Sequence, residues 1–199
     1  METEYFKKMM EDYNNIKFFS ENEYQSVLRR IVFRKYPKNY ILKNKNEPDN
    51  FSRYICNGYI GLFDGTINRN KLKLIFGPTD TVFDKKGFRE SKPTPIIIKT
   101  LSETMLFEFS KASEMALFEM NKDFCLLALE VSHRITLRTF EQSELKRLGL
   151  KNGVSSLAKK YPGIEKILKN QDLADYFNTS LRTIERHKAK IFQSKSQIL

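Results

Sequence analysis

The sequence predicts an α+β protein in three parts: an N-terminal antiparallel β-roll over residues 1–112, a long helix over 113–142 and a small helical unit over 143–199. Three observations carry this division. Short β-rich runs crowd the stretch from Val32 to Phe109, an apolar stripe of period three and four follows Ser110, and a helix–turn–helix pattern occupies Asn170 to Ile191.

With 199 residues, 40% of them hydrophobic, the chain can bury one generous core or two small ones. No apolar run approaches the roughly 18 residues of a membrane span. The polar start METEYFKKMMEDYNN lacks the apolar stretch of a secretory signal. These features predict a cytoplasmic protein with no membrane partner. Cys56 and Cys125 lie in unrelated segments, without the paired spacing of a zinc or redox motif, and read as ordinary buried thiols. Neither metal nor cofactor is expected. With two His, no phosphate-binding glycine loop and no nucleophile motif, the sequence offers no catalytic constellation and argues against an enzyme.

In chain order, Ser20 and Glu23 have the spacing of a capping box ahead of Tyr24, Val27, Leu28 and Ile31, which predicts a short amphipathic helix. The runs IVFRKY, NYILKN, SRYICNGYIGLF, KLKLIF, DTVF, PIIIKT and MLFEFS then read as strands. Turn-formers such as Asn57-Gly58, Asp64-Gly65 and Lys86-Gly87 separate or follow them. Many short, closely spaced strands suggest an antiparallel sandwich or barrel. Beyond Ser110, Phe124, Leu127, Val131 and Ile135 recur at helical spacing, and Leu126 and Leu129 add apolar area beside them. That helix reads either as a plain core helix or as a seam with a second copy of the chain. LGLKNG, from Leu148 to Gly153, reads as a break before the last unit.

The formal charge of +11 is concentrated in that unit, where residues 143–199 hold twelve Lys or Arg against five Asp or Glu. Charge alone is compatible with nucleic acid, an anionic membrane surface or a merely solvated lysine-rich face. The local pattern is more informative. Leu173, Ala174 and Phe177 form one face of a first helix, Asn178 can take the left-handed conformation of a tight turn, and Ser180 can cap a second helix. Ile184 and Ile191 face inward, leaving Leu181, Arg182, Glu185, Arg186 and Lys188 near the outer surface. Arg can donate two hydrogen bonds to guanine, and Glu can accept from cytosine. These side chains, with Thr179 and Ser180 toward the DNA backbone, are the candidate DNA-binding residues; a solvated Arg182–Glu185 pair at spacing three is the bland alternative.

The stretch Asn170 to Ile191 resembles the helix-turn-helix of the Crp/Fnr family of bacterial regulators in the spacing of Ala174, Asn178 and Ile184. Ser180-Leu181-Arg182-Thr183-Ile184-Glu185-Arg186 is similar to the family's recognition helix, with Arg186 at its typical arginine position. Asn178 replaces the commoner glycine, and Leu181-Arg182 replace a frequent Arg-Glu, which implies a different operator. Ile55 to Ile60 and Phe83 to Leu106 resemble parts of the family's roll in outline. The resemblance implies a cyclic-nucleotide-binding-like sensor domain, a homodimer joined through Phe124, Leu127, Val131 and Ile135, and a palindromic double-stranded DNA site. It also implies RNA polymerase and an unidentified small-molecule effector as further partners. The family's cyclic-nucleotide cassette has a Gly-Glu pair and an Arg followed by Ser or Thr. Gly87 to Pro95 has neither, so cyclic AMP is not expected; Arg89, Lys92 and Thr94 could face an anion, but without an evident convergence of backbone N–H groups the segment reads first as a solvated loop. His133 and Cys56 are read as structural rather than as haem ligands. The eight residues after Ile191 leave room for little of the wing that often follows such a motif.

Overall fold

The computed structural model describes residues 2–66 and 69–196, and side chains as far as Lys190. The inward placement expected of Ile191 and any wing beyond it lie outside the described side chains. The chain opens with helices α1 (Glu2–Asn14) and α2 (Glu21–Leu28). Ser20 and Glu23 form the expected reciprocal capping box at the start of α2. Helix α1 was not anticipated from the sequence, although Phe6, Met9 and Tyr13 recur at helical spacing and are all buried.

Among the described residues eight strands follow: β1 (Ile31–Tyr36), β2 (Ile41–Lys43), β3 (Phe51–Asn57), β4 (Ile60–Asp64), β5 (Lys71–Phe76), β6 (Thr81–Val82), β7 (Ile96–Thr100) and β8 (Thr104–Ser110). They form two four-stranded antiparallel sheets, ordered β1-β8-β3-β6 and β2-β7-β4-β5. The Asn57-Gly58 turn carries the chain from the first sheet to the second. Gly58 has φ +87°, and a Cβ there would lie 2.2 Å from the Glu103 carbonyl oxygen, so both backbone conformation and space require glycine. Helix α3 (Lys85–Glu90) lies between β6 and β7, its first turn capped by Asp84.

After β8 the chain forms α4 (Lys111–Met120), breaks at Asn121 and Lys122, and continues as the 25-residue helix α5 (Asp123–Arg147). The segment expected as one helix over 113–142 is therefore two helices, the second extending five residues further. The sequence seam also needs correction. Phe124, Leu127, Val131 and Ile135 are 5%, 9%, 8% and 6% exposed and join the core between the first sheet, α1 and α2. They face the chain's own roll because a sheet face is the larger apolar surface available to the helix. The opposite side of α5 presents Leu126 (49%), Leu129 (64%), Leu137 (48%) and Phe140 (62%) to the exterior, with His133 exposed among them. Cys125 on this helix is exposed, contrary to the reading of both cysteines as buried; Cys56 is half-buried, its thiol pushed up to about 12 by burial.

The last unit comprises α6 (Gly149–Lys160), α7 (Ile164–Ile167), α8 (Asn170–Tyr176) and α9 (Leu181–Ser196). The break read from Leu148 to Gly153 is confined to the Leu148–Gly149 junction. Gly153 lies within α6, where an added Cβ would approach the Phe177 ring to 2.6 Å. A second core joins this unit to the β2-β7-β4-β5 sheet, with Leu72, Ile75 and Leu101 packing in one cluster with Leu157, Tyr161, Leu173 and Tyr176. At its centre Gln142 is fully buried. Its side chain accepts from the Ile75 N–H (2.9 Å), donates to the Ile75 carbonyl (2.8 Å) and accepts from the Tyr176 hydroxyl (3.0 Å). The edge strand β5 thus has its backbone groups capped by the helical unit. Gln142→Leu preserves bulk but leaves the Ile75 N–H and the Tyr176 hydroxyl without this partner. It is expected to lower stability by about 1–3 kcal/mol in chemical denaturation.

Candidate nucleic-acid interface

Helices α8 and α9 are joined by a turn whose geometry follows from its sequence. Phe177 ends α8, Asn178 takes φ +50°, the Asn178 N–H donates to the Asp175 carbonyl (3.2 Å), and the Thr179 N–H reaches back to the Ala174 carbonyl (2.8 Å). This paired arrangement closes a helix C-terminus when a residue can adopt the left-handed region, which Asn does at little cost. Ser180 then starts α9: its Oγ accepts from the Thr183 N–H (3.1 Å), as expected of a cap. Leu173, Ala174 and Ile184 are at most 1% exposed, fixing the two helices against each other.

With Ile184 anchored inward, Arg182, Glu185, Arg186 and Lys188 are exposed on α9, Leu181 is 40% exposed, and Ser180 and Thr179 are exposed and half-buried at its start. None of the seven residues singled out by the sequence is buried: Arg182, Glu185 and Arg186 lie on the side of α9 away from Ile184, whereas Lys188 lies round toward its flank. Arg138–Glu141 and Arg147–Glu144 pair at spacing three on α5. Among the described residues Arg182 and Glu185 form no such pair, so their hydrogen-bonding groups point to solvent. The underside of the unit is held to the roll by Arg69, which donates to both Asp175 oxygens (3.1 and 2.5 Å), and by the Tyr59 hydroxyl, which donates to the Pro162 carbonyl (2.8 Å). Lys146 lies over the Tyr176 ring at 4.4 Å and donates to the Lys73 carbonyl; burial and the Lys73 charge bring its pKa down to about 8.

Arg89, Lys92 and Thr94, the residues that could have faced an anion, do not converge. Arg89 is 81% exposed at the end of α3 and pairs with Glu90, and Lys92 is exposed beyond it. Thr94 is buried and already engaged. It donates to Asp84 and accepts from Lys43 Nζ (2.7 Å), while Lys43 also pairs with Asp84 at 3.1 Å. Burial alone would raise the Asp84 pKa, but hydrogen bonds from Thr94, the Gly87 N–H and Lys43 hold it below the usual carboxylate value. Sequence reading missed this network because its members are far apart in the chain and each looks like an ordinary surface residue. A cavity of about 540 Å³ lies nearby, between the second sheet, α3 and α5. Leu62, Leu74 and Phe76 form its apolar wall, and Lys85 spans its edge, donating to Thr136 Oγ1 (2.7 Å) and the Ser132 carbonyl (3.3 Å) of α5. No described helix is long and apolar enough to cross a membrane.

No protein-family model matches the chain, and no curated protein is similar to it in sequence. Solved structures do match. The c-di-GMP-responsive global regulator CLP of Xanthomonas campestris is 18% identical, with 88% of this chain and 93% of that one covered and a TM-score of 0.63. FixK2 of Bradyrhizobium japonicum is 12% identical, with 83% and 86% covered and a TM-score of 0.62. A cyclic nucleotide-binding domain of Methylobacillus flagellatus is 15% identical, with 74% and 87% covered and a TM-score of 0.61. At these identities the likeness is one of fold alone, shared with a cyclic nucleotide-binding domain and with CLP and FixK2.

Proposed function

We propose that this chain is a DNA-binding transcription regulator of the Crp/Fnr type, acting in the cytoplasm as a homodimer on a palindromic operator and affecting RNA polymerase there. The observation that carries the reading is α9, whose polar face is exposed beyond a well-closed turn while Ile184 holds its inner face. Arg186 and Arg182 are the base-reading candidates, Glu185 an acceptor for cytosine, Leu181 a contact for a thymine methyl, and Lys188 a phosphate contact. Thr179 and Ser180 approach the DNA backbone at the helix N-terminus.

The dimer joins through the outer face of α5. Leu126, Leu129, Leu137 and Phe140 are each about half exposed or more, and their shared helical face suits a twofold seam. Two recognition helices would then address half-sites roughly 34 Å apart. The place for a small-molecule effector is the 540 Å³ cavity beside α5, since α5 runs from that wall to the helical unit. Cyclic AMP is not the effector in this reading, because Arg89 and Thr94 do not face a common anion.

A salt titration on duplex DNA separates this function from that of an interaction module that merely retains the helices. Log affinity is expected to fall linearly with log salt, with a slope of about −0.9 for each phosphate contacted. A dimer whose DNA affinity is negligible at physiological salt would refute the reading.

A further inference from the structure

A second cavity, of about 100 Å³, lies toward the N-terminal end of α5 on its inner side, bounded by the N-terminal helices, the first sheet, α4 and α5. Six aromatic side chains, Tyr13, Tyr24, Phe83, Phe109, Phe118 and Phe124, contribute to its wall beside aliphatic ones. Against that wall stands one carboxyl group, Glu114 in the first turn of α4.

The other polar groups lining the cavity are engaged. Tyr13 and Thr81 share a hydrogen bond (3.3 Å), Tyr24 donates to Asn14 (3.0 Å) and the Met10 carbonyl, and Ser52 donates to Glu114 Oε1. Among the described residues, the second Glu114 oxygen has no hydrogen-bond partner. The nearby charges of Asp12 and Arg134 satisfy each other through two 3.0 Å contacts. An aromatic chamber with one anionic group matches the chemistry of organic ammonium recognition, in which ring faces attract a desolvated cation and a carboxylate balances its charge. The helix N-terminus favours the ionised carboxylate as well.

We propose that this cavity binds a small organic ammonium ion of methylated-amine size, with Glu114 as its counter-ion. The site is separate from the α9 surface and meets the larger cavity only at Phe83, so it stands whether or not the chain binds DNA. Its ligand would touch Phe124 and Leu127 on α5 and thereby stiffen α5 against α4 and the roll.

Burial raises the Glu114 pKa, with the Ser52 hydrogen bond acting in the opposite direction. Between the ordinary carboxylate value and this raised one, the folded chain binds more protons than the unfolded chain. The empty site therefore loses stability as pH rises through that interval, and Glu114→Gln should fold at least as stably as the parent at neutral pH.

Calorimetric or NMR titration with tetramethylammonium chloride at neutral pH tests the proposal, with sodium chloride and the neutral isostere tert-butanol as controls. Saturable one-to-one binding of the ammonium alone is expected. Glu114→Gln should weaken it on the order of tenfold or more, and Ala128→Leu, which fills the cavity, should abolish it. No saturable binding of tetramethyl-, trimethyl- or methylammonium would overturn the proposal. Equal binding of tert-butanol, or unchanged affinity in a folded Glu114→Gln variant, would overturn it too.

Discussion

Replacing Leu129 and Phe140 together with glutamate is expected to leave folded monomers in place of dimers and to reduce operator affinity by about 10³-fold or more. Both side chains are more than 60% exposed on the isolated chain, so the substitutions cost the monomer fold little. In the seam they remove apolar area worth roughly 1.5–3 kcal/mol for each fully buried side chain and place four like charges together. The inner face should behave in the opposite way. Leu127→Ala is expected to destabilise the fold by about 2–5 kcal/mol, because Leu127 packs on the roll. Sedimentation and thermal unfolding of the two variants distinguish the faces. A dimer that survives the double glutamate substitution would remove α5 as its seam.

Replacing Arg186 with alanine should weaken operator binding by about 1–3 kcal/mol and relax preference at one base pair of each half-site, with dimerisation unchanged. Arg186 is exposed and one helical turn from the start of α9, within the part of a recognition helix that reaches base edges. Loss of affinity that is uniform across sequences would instead assign Arg186 to a phosphate. Lys188→Ala should produce that uniform loss, with a shallower salt dependence. The two substitutions therefore separate reading from positioning at two exposed residues of α9.

Much of this arrangement is legible in the sequence where local chemistry decides it. The strands appear between turn-formers, the capping box at Ser20 and Glu23 marks α2, and Asn178 and Ser180 place the turn before α9. Periodicity was less informative for α5, which is apolar on two opposite faces. The regular spacing of Phe124, Leu127, Val131 and Ile135 identifies a buried stripe but cannot say what buries it. The outer residues Leu137 and Phe140 continue the face of Leu126 and Leu129, a signal that reading both faces together would have caught.

Long-range polar pairings were not legible. Lys43 meets Asp84 and Thr94, and Gln142 joins Ile75 to Tyr176, across separations that no local pattern specifies. These pairings decide two matters: Thr94 is engaged inside the fold rather than free to face an anion, and the helical unit is docked on the second sheet. The docking leaves α9 outward, which sequence alone could not establish.

Selection from a random duplex library on the purified protein at near-physiological salt, with and without cyclic AMP, probes α9 and the dimer together. A palindromic consensus with half-sites about one duplex turn apart, unchanged by the nucleotide, is expected. Enrichment only with cyclic AMP would contradict the reading of the effector site, and the absence of any enriched sequence would contradict the assignment of α9 as a recognition helix.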